Sequence, residues 1–185
     1  MSLAPLLASV RMNWETPEEV LRRVRDVSPI ALDPCTTVDN PCGATWFYTV
    51  KEDGLYRSWR RRRQAAAQWS GTDHPAEHEW LVYMNPPYGR ELPRWIAKAI
   101  AEAAQGAEII ALVPSRTDTR WWKLCVESAA AIRHWHGRIT FRGAAHPAPF
   151  PSALIYWGHR PSGFHAAFAA RTVIGGVGGV PAEGA

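Results

Sequence analysis

The run Leu81-Val82-Tyr83-Met84 ends in Asn85-Pro86-Pro87-Tyr88-Gly89, and no other stretch narrows the possible folds as far. Four apolar residues without helical spacing, stopped by two prolines, predict a short buried strand. Pro86 and Pro87 fix φ and bring no N–H, and the residue before each is pushed toward extended backbone. The chain therefore leaves the strand stiffly and cannot pass straight into a helix. Asn85 supplies a carboxamide at the strand tip, and Tyr88 supplies a flat ring just beyond it.

That set suits chemistry on an exocyclic aromatic amine. Such a nitrogen is a poor nucleophile, because its lone pair is conjugated into the ring. Two acceptors, the Asn85 side-chain oxygen and the Pro86 carbonyl, can take its two hydrogens and aim the lone pair at an electrophile. The work is positioning and electrostatics, with no shifted general base needed before attack. Pro87 stiffens the turn, and Tyr88 can stack on the base that carries the amine. The competing reading is a strand ending in a rigid turn, with Asn as turn former.

The flanking pattern predicts an open α/β sheet. Leu92, Trp95, Ile96, Ala99, Ile100 and Ala103 recur at helical spacing, and Gly106 stops them. Glu108 to Pro114 is the next buried strand, which makes a parallel strand–helix–strand unit. Upstream, Pro29 to Leu32 predicts a strand with Asp33-Pro34-Cys35 at its end. Ligands of such sheets bind beyond the carboxyl ends of the strands, so Asp33 is a candidate for a cofactor ammonium or hydroxyl. The alternative is a plain Asp-Pro turn, and no Gly-x-Gly follows it. Trp46 to Val50 predicts a second strand, with Asp53 after it, where an acid can hold ribose hydroxyls; Asp53-Gly54 is equally a turn pair. Ahead of all this, Thr16 is the expected N-cap of the first helix, with Pro17 at its first position and Glu19 completing a capping box. Val20, Leu21 and Val24 give its buried side.

Downstream, Ser115 to Trp122 leaves its strand at the same edge as Tyr88. Asp118 is the expected cap of a helix from Thr119 to Ser128, and Arg116 and Arg120 are candidates for phosphate contact. Ala131 to Trp135 and Gly137 to Phe141 predict two short strands around a turn, His146 to Pro151 a proline-rich loop, and Ser152 to Trp157 a final strand. Phe164 to Arg171 predicts a terminal helix, and the glycine-rich tail from 172 predicts disorder. Residues 1–12 read as an extension and 13–171 as one domain.

Composition limits the setting. The chain has 185 residues, 46% of them hydrophobic, enough for one domain with a sizeable core. No apolar run is long enough to span a membrane. Met1 to Val10 lacks the basic start of a signal peptide. Cys35, Cys42 and Cys125 cannot form an even disulfide framework, which fits a reducing cytoplasm. The net charge is +4, and an Arg-rich insertion at 57–79 contains Arg60 to Arg63. Arg60 and Arg61 are candidates for nucleic-acid phosphates, against the alternative of a solvated charged face. His74, Glu77 and His78 have an H-x-x-E-H spacing. Pro75 and the strand that follows deny them a helix, so the segment reads as a polar loop and no metal site is expected.

Asn85-Pro86-Pro87-Tyr88 resembles the amino-methyltransferase signature Asn/Asp-Pro-Pro-Tyr/Phe. Trp14-Glu15-Thr16-Pro17, Leu32-Asp33-Pro34-Cys35, Asp53-Gly54-Leu55, that tetrapeptide, Thr117-Asp118-Thr119-x-Trp121, Gly137-Arg138-Ile139-x-Phe141 and Leu154 to Gly158 run in one series. The series resembles the small phage-type DNA N6-adenine methyltransferase family over roughly residues 13–170. The resemblance implies a Rossmann-like methyltransferase sheet with helices on both faces. It implies S-adenosyl-L-methionine near Trp14, Thr16, Pro17, Asp33, Pro34 and Asp53, and a flipped adenine of DNA at Asn85, Pro86 and Tyr88. Phe141 would stack on the other face of the base. Rival readings are a methyltransferase of RNA adenine or protein glutamine, and a non-catalytic nucleic-acid-binding protein of the same fold.

Overall fold

The computed structural model describes residues 14–60 and 80–169. In chain order the elements are α1 (Glu18–Val27), β1 (Ile30–Asp33), β2 (Trp46–Phe47), β3 (Leu81–Met84), α2 (Leu92–Ala103), β4 (Glu108–Pro114), α3 (Arg120–Ser128), β5 (Ala131–His134), β6 (Ser152–Trp157) and α4 (Pro161–Ala167). The six strands form one sheet in the order β2-β1-β3-β4-β6-β5. β1 pairs in parallel with β2 and β3, and β3 with β4, whereas β6 is antiparallel to β4 and β5. The carboxyl ends of β1, β3, β4 and β5 therefore share one edge with the start of β6.

Strand periodicity sorts the core into two layers. Leu81, Tyr83, Ile110, Leu112, Leu154 and Tyr156 meet Val20, Leu21 and Val24 of α1 and Phe164 of α4. Val82, Met84, Ile109, Ala111, Val113 and Ile155 meet Trp95, Ile96 and Ala99 of α2 and Trp121, Trp122 and Cys125 of α3. β3, β4 and β6 are buried along their whole length because helices cover both faces. Each fully buried aliphatic side chain there contributes about 2 kcal/mol of transfer free energy.

Several expected local features come out differently. α1 begins at Glu18 with Pro17 as N-cap, and no side chain caps it. The Pro17 carbonyl takes the first helical N–H groups, and the Thr16 hydroxyl is engaged elsewhere. β2 stops after two residues, because Thr49 and Glu52 close a turn in which the Glu52 carboxylate accepts from the Thr49 N–H at 2.9 Å. Thr119, not Asp118, caps α3, with its hydroxyl accepting from the Trp122 N–H at 3.3 Å. Residues 137–141 form no strand; the neighbouring Arg142 makes only an isolated bridge to Glu15. The last described helix is Pro161–Ala167 rather than 164–171.

Trp59, inside the Arg-rich run, is fully buried and stacks on Trp95 at 6.2 Å between centroids. Its indole donates to the Gly54 carbonyl at 2.8 Å, and its own carbonyl accepts from the Trp80 indole at 2.9 Å. Trp80 directly precedes β3, so both described ends of the Arg-rich insertion meet at the amino edge of the sheet, opposite Asn85. His74, Glu77 and His78 lie outside the described residues.

Candidate active site

A cavity of about 670 Å³ opens beyond the carboxyl ends of β1 and β3. Its lining includes Trp14, Thr16, Asp33, Tyr83, Asn85, Pro86, Pro87 and Tyr88. Three separate segments converge here: the strap before α1, the end of β1, and the turn after β3. The volume lies in the range usual for small-molecule sites.

Asn85 is held by its nitrogen. Its Nδ2 donates to the Trp14 carbonyl, and to Thr16 Oγ1 at 3.1 Å. A carbonyl only accepts, so the atom facing Trp14 is the amide nitrogen, and the orientation of the carboxamide is fixed. Thr16 Oγ1 is in turn 2.7 Å from the Tyr83 hydroxyl, in the middle of the strand. With the nitrogen spent, the Asn85 Oδ1 is buried and meets no hydrogen-bond donor. Among the described residues no donor bonds the Pro86 carbonyl either. A buried acceptor without a partner is costly, by about 1–3 kcal/mol, and marks a place where a donor is missing. An amine reaches that oxygen only when the side chains covering it shift.

Asp33 ends β1 and is 5% exposed. Its Oδ1 accepts from the Cys35 N–H at 3.0 Å, and its Oδ2 from the Cys42 thiol at 3.2 Å. Burial pushes the carboxyl up from 3.8 to about 6, and these hydrogen bonds restrain the rise. Burial, reinforced by the Asp33 charge, pushes the Cys35 and Cys42 thiols up, so neither is poised as a thiolate nucleophile.

An aromatic wall closes the other side. The Trp14 ring lies 4.8 Å from Phe141 and 5.8 Å from Phe150. Tyr88 meets both phenylalanines edge-on, and its hydroxyl donates to the Leu112 carbonyl at 3.1 Å. The Tyr88 ring is thus anchored at its far end.

The structure brings Trp14, Thr16, Asp33, Asn85, Pro86, Pro87 and Tyr88 to one cavity. Pro17 and Pro34 flank that set without lining it. Asp53 does not line it: with φ +50° it occupies a left-handed turn and accepts from the Leu55 N–H at 3.2 Å. Phe141 is 1% exposed and supports Trp14 and Tyr88 from behind, which leaves it no free face for a base. Arg60 is not at the cavity; it points to Glu102 at 4.0 Å, near the far end of α2, and Arg61 lies outside the described residues. Arg116 and Arg120 are exposed beyond β4, on the cavity's side of the sheet. Sequence reasoning missed Tyr83, Cys42 and Phe150. Tyr83 carried a signal, a phenol inside an otherwise aliphatic strand; the other two carried none.

A sheet of this order, covered by helices on both faces, with a side-chain amide at the tip of β3 beside a ligand-sized cavity, has the architecture of a methyltransferase. The family model described as DNA N-6-adenine-methyltransferase (Dam) matches residues 4–150, well over half of the chain, and the chain belongs to that family. No curated protein matches the chain. Among the described residues no helix is long and apolar enough to cross a membrane, and no cluster of three His, Cys, Asp or Glu side chains could hold a metal ion.

Proposed function

We propose that the protein transfers a methyl group from S-adenosyl-L-methionine to the N6 amine of an adenine turned out of duplex DNA. The observation that carries this reading is the buried, unpartnered Asn85 Oδ1, fixed in place by the Trp14 and Thr16 acceptors on its own nitrogen. An amine N–H is the donor that oxygen lacks. With the Pro86 carbonyl as second acceptor, both N6 hydrogens are taken, and the nitrogen lone pair is freed from the ring toward the cavity. Tyr88 offers the base a ring held at its hydroxyl, and turning the base out is what lets an enzyme reach an amine hidden in a stacked duplex. The proton leaves N6 after transfer, to solvent.

The cavity chemistry fits the cofactor. A carboxyl raised by burial with no ion-pair partner within 4.0 Å among the described residues, as at Asp33, gains from an ammonium, and S-adenosyl-L-methionine carries one. Trp14, Thr16 and Asp33 would hold it. When bound, the cofactor supplies an electrophilic methyl group.

Labelled methyl transfer to DNA, RNA and protein, run in parallel, tests the reading. Label in N6-methyladenine of DNA is the expected result. Preference for RNA adenine or protein glutamine would replace the substrate. Binding of DNA with no transfer to any adenine would replace the enzyme by a binding protein.

A further inference from the structure

The described cations differ in their partners: Arg23, Arg60 and Lys123 face carboxylates, and Arg22, Lys51 and Arg57 are exposed without one within 4.0 Å among the described residues. Arg25, Arg94, Lys98 and Arg160 have carboxylate partners at 2.7, 2.5, 2.6 and 2.5 Å. Arg90, Arg116, Arg120, Arg138 and Arg142 are exposed and have no carboxylate within 4.0 Å among the described residues. These five follow β3, β4 and β5, so all stand on the sheet edge that carries Asn85. Asp39, Glu52, Asp53, Glu91 and Asp118 are exposed acids after β1 to β4 on the same edge, and among the described residues none follows β5. From Ser128 to Ala182 the sequence contains no Asp or Glu at all.

The connection between β5 and β6, residues 135–151, is built as a rigid platform for two of them. Ile139, Phe141 and Ala148 are buried beneath it. Its backbone is tied by Trp135 N–H to the Ser152 carbonyl at 2.9 Å, Arg142 N–H to the Glu15 carbonyl at 2.8 Å, and Ala148 N–H to the Ile139 carbonyl at 2.8 Å. Its inner side backs the aromatic wall of the cavity, while Arg138 and Arg142 stay exposed. Unpaired like charges on one edge repel one another and lower stability unless a polyanion meets them.

We infer that residues 135–151, with Arg90, Arg116 and Arg120, form the surface that grips the DNA phosphates around the turned-out adenine, and that Arg138 and Arg142 are its phosphate contacts. This rests on the DNA reading of the site above. Phosphate contacts position the duplex without reading its sequence, so their loss weakens binding to every duplex alike and reduces its salt dependence.

The test is binding of duplex DNA across a salt series by the wild type, by Arg138→Gln/Arg142→Gln, and by Arg22→Gln on the outer side of α1. The double variant should lower the slope of log affinity against log salt by about 2 and raise the KM for DNA at least about tenfold. Its affinity for S-adenosyl-L-methionine should equal that of the wild type, which reports an intact fold. Arg22→Gln should keep the wild-type slope. A wild type that methylates DNA, beside a double variant with an unchanged slope, overturns this inference and leaves the activity standing. A wild type that transfers no methyl to DNA overturns the activity on which it rests.

Discussion

The side-chain amide of Asn85 donates to the carbonyl oxygen of Trp14, 71 positions away in the chain, and the Trp14 ring rests on Phe141 at 4.8 Å between centroids. The same strap is tied a second time, through the Glu15 carbonyl and the Arg142 N–H at 2.8 Å. The orientation of the β3 carboxamide therefore depends on how the strap before α1 is seated, and the seating depends on the β5–β6 connection.

Replacing Asn85 separates its two atoms. Asn85→Ala removes the oxygen offered to the amine and should lower kcat by about a hundredfold or more, with cofactor affinity near the wild-type value. Asn85→Asp keeps an oxygen but presents a carboxylate to the Trp14 carbonyl where a donor stood. It should turn away from its native orientation and lose nearly as much. Single-turnover rates with saturating DNA check both, and wild-type rates in Asn85→Ala would remove the role assigned to the oxygen.

Beside its proposed place at the cofactor, Thr16 positions Asn85, since its hydroxyl touches Asn85 and Tyr83 rather than the amine. Thr16→Val keeps the shape, leaves the buried Tyr83 hydroxyl without its partner, and loosens Asn85. The expected cost is about 1–3 kcal/mol of stability and a fall in kcat with little change in the KM for DNA. Thr16→Ser should restore both. A stability loss with kcat unaltered would make Thr16 purely structural.

What the sequence made legible was periodicity and rigid punctuation. The strand at 81–84, its abrupt Pro-Pro exit, the helix from Leu92 and the acid ending β1 all follow from local pattern. Thr16 was misassigned because local capping and a distant hydrogen bond compete for one hydroxyl, and only the fold decides that Asn85 and Tyr83 win it. Asp53 reads as a ribose ligand by position; the structure shows it in a left-handed turn outside the cavity lining. Trp59 was hidden by its arginine neighbours, because burial of an isolated aromatic leaves no periodic trace. The Arg60 run stands out as a charge cluster, while the stretch from Ser128 to Ala182 is marked by missing acids rather than abundant bases and leaves no such local signal.

Gly54 is fixed by close approach, not by its dihedral angles. A Cβ there would lie 1.9 Å from the Pro34 carbonyl oxygen, a contact between two backbones that neither can relieve by rotation. Gly54→Ala should cost about 3 kcal/mol and shift the loop that holds Asp33. At Gly89 an added Cβ meets nothing within 4 Å, so Gly89→Ala should change stability by less than about 1 kcal/mol. Thermal unfolding of the two variants side by side checks the contrast, and equal midpoints would contradict the packing described.

Asp33 sets a pH dependence with opposite signs for stability and for cofactor binding. Its carboxyl titrates near 3.8 when unfolded and at about 6 when buried in the folded protein. Below the unfolded value both states hold the proton, and folding bears no penalty from this group. As pH rises toward about 6 the unfolded chain releases the proton first, so stability falls, levelling off above that value after a loss of about 3 kcal/mol. Asp33→Asn should be free of this loss: its unfolding midpoint should gain on the wild type between pH 4 and pH 7 (about these limits, set by the two titrations). Cofactor affinity should run the other way, because an ammonium pairs with the ionised carboxylate. In the wild type it should fall as pH drops below about 6, approaching tenfold per unit, while the weaker binding of Asp33→Asn should stay flat. Calorimetric titration with S-adenosyl-L-methionine from about pH 5 to 7, where the ammonium keeps its own proton, checks this, and parallel curves for the two proteins would detach Asp33 from the cofactor.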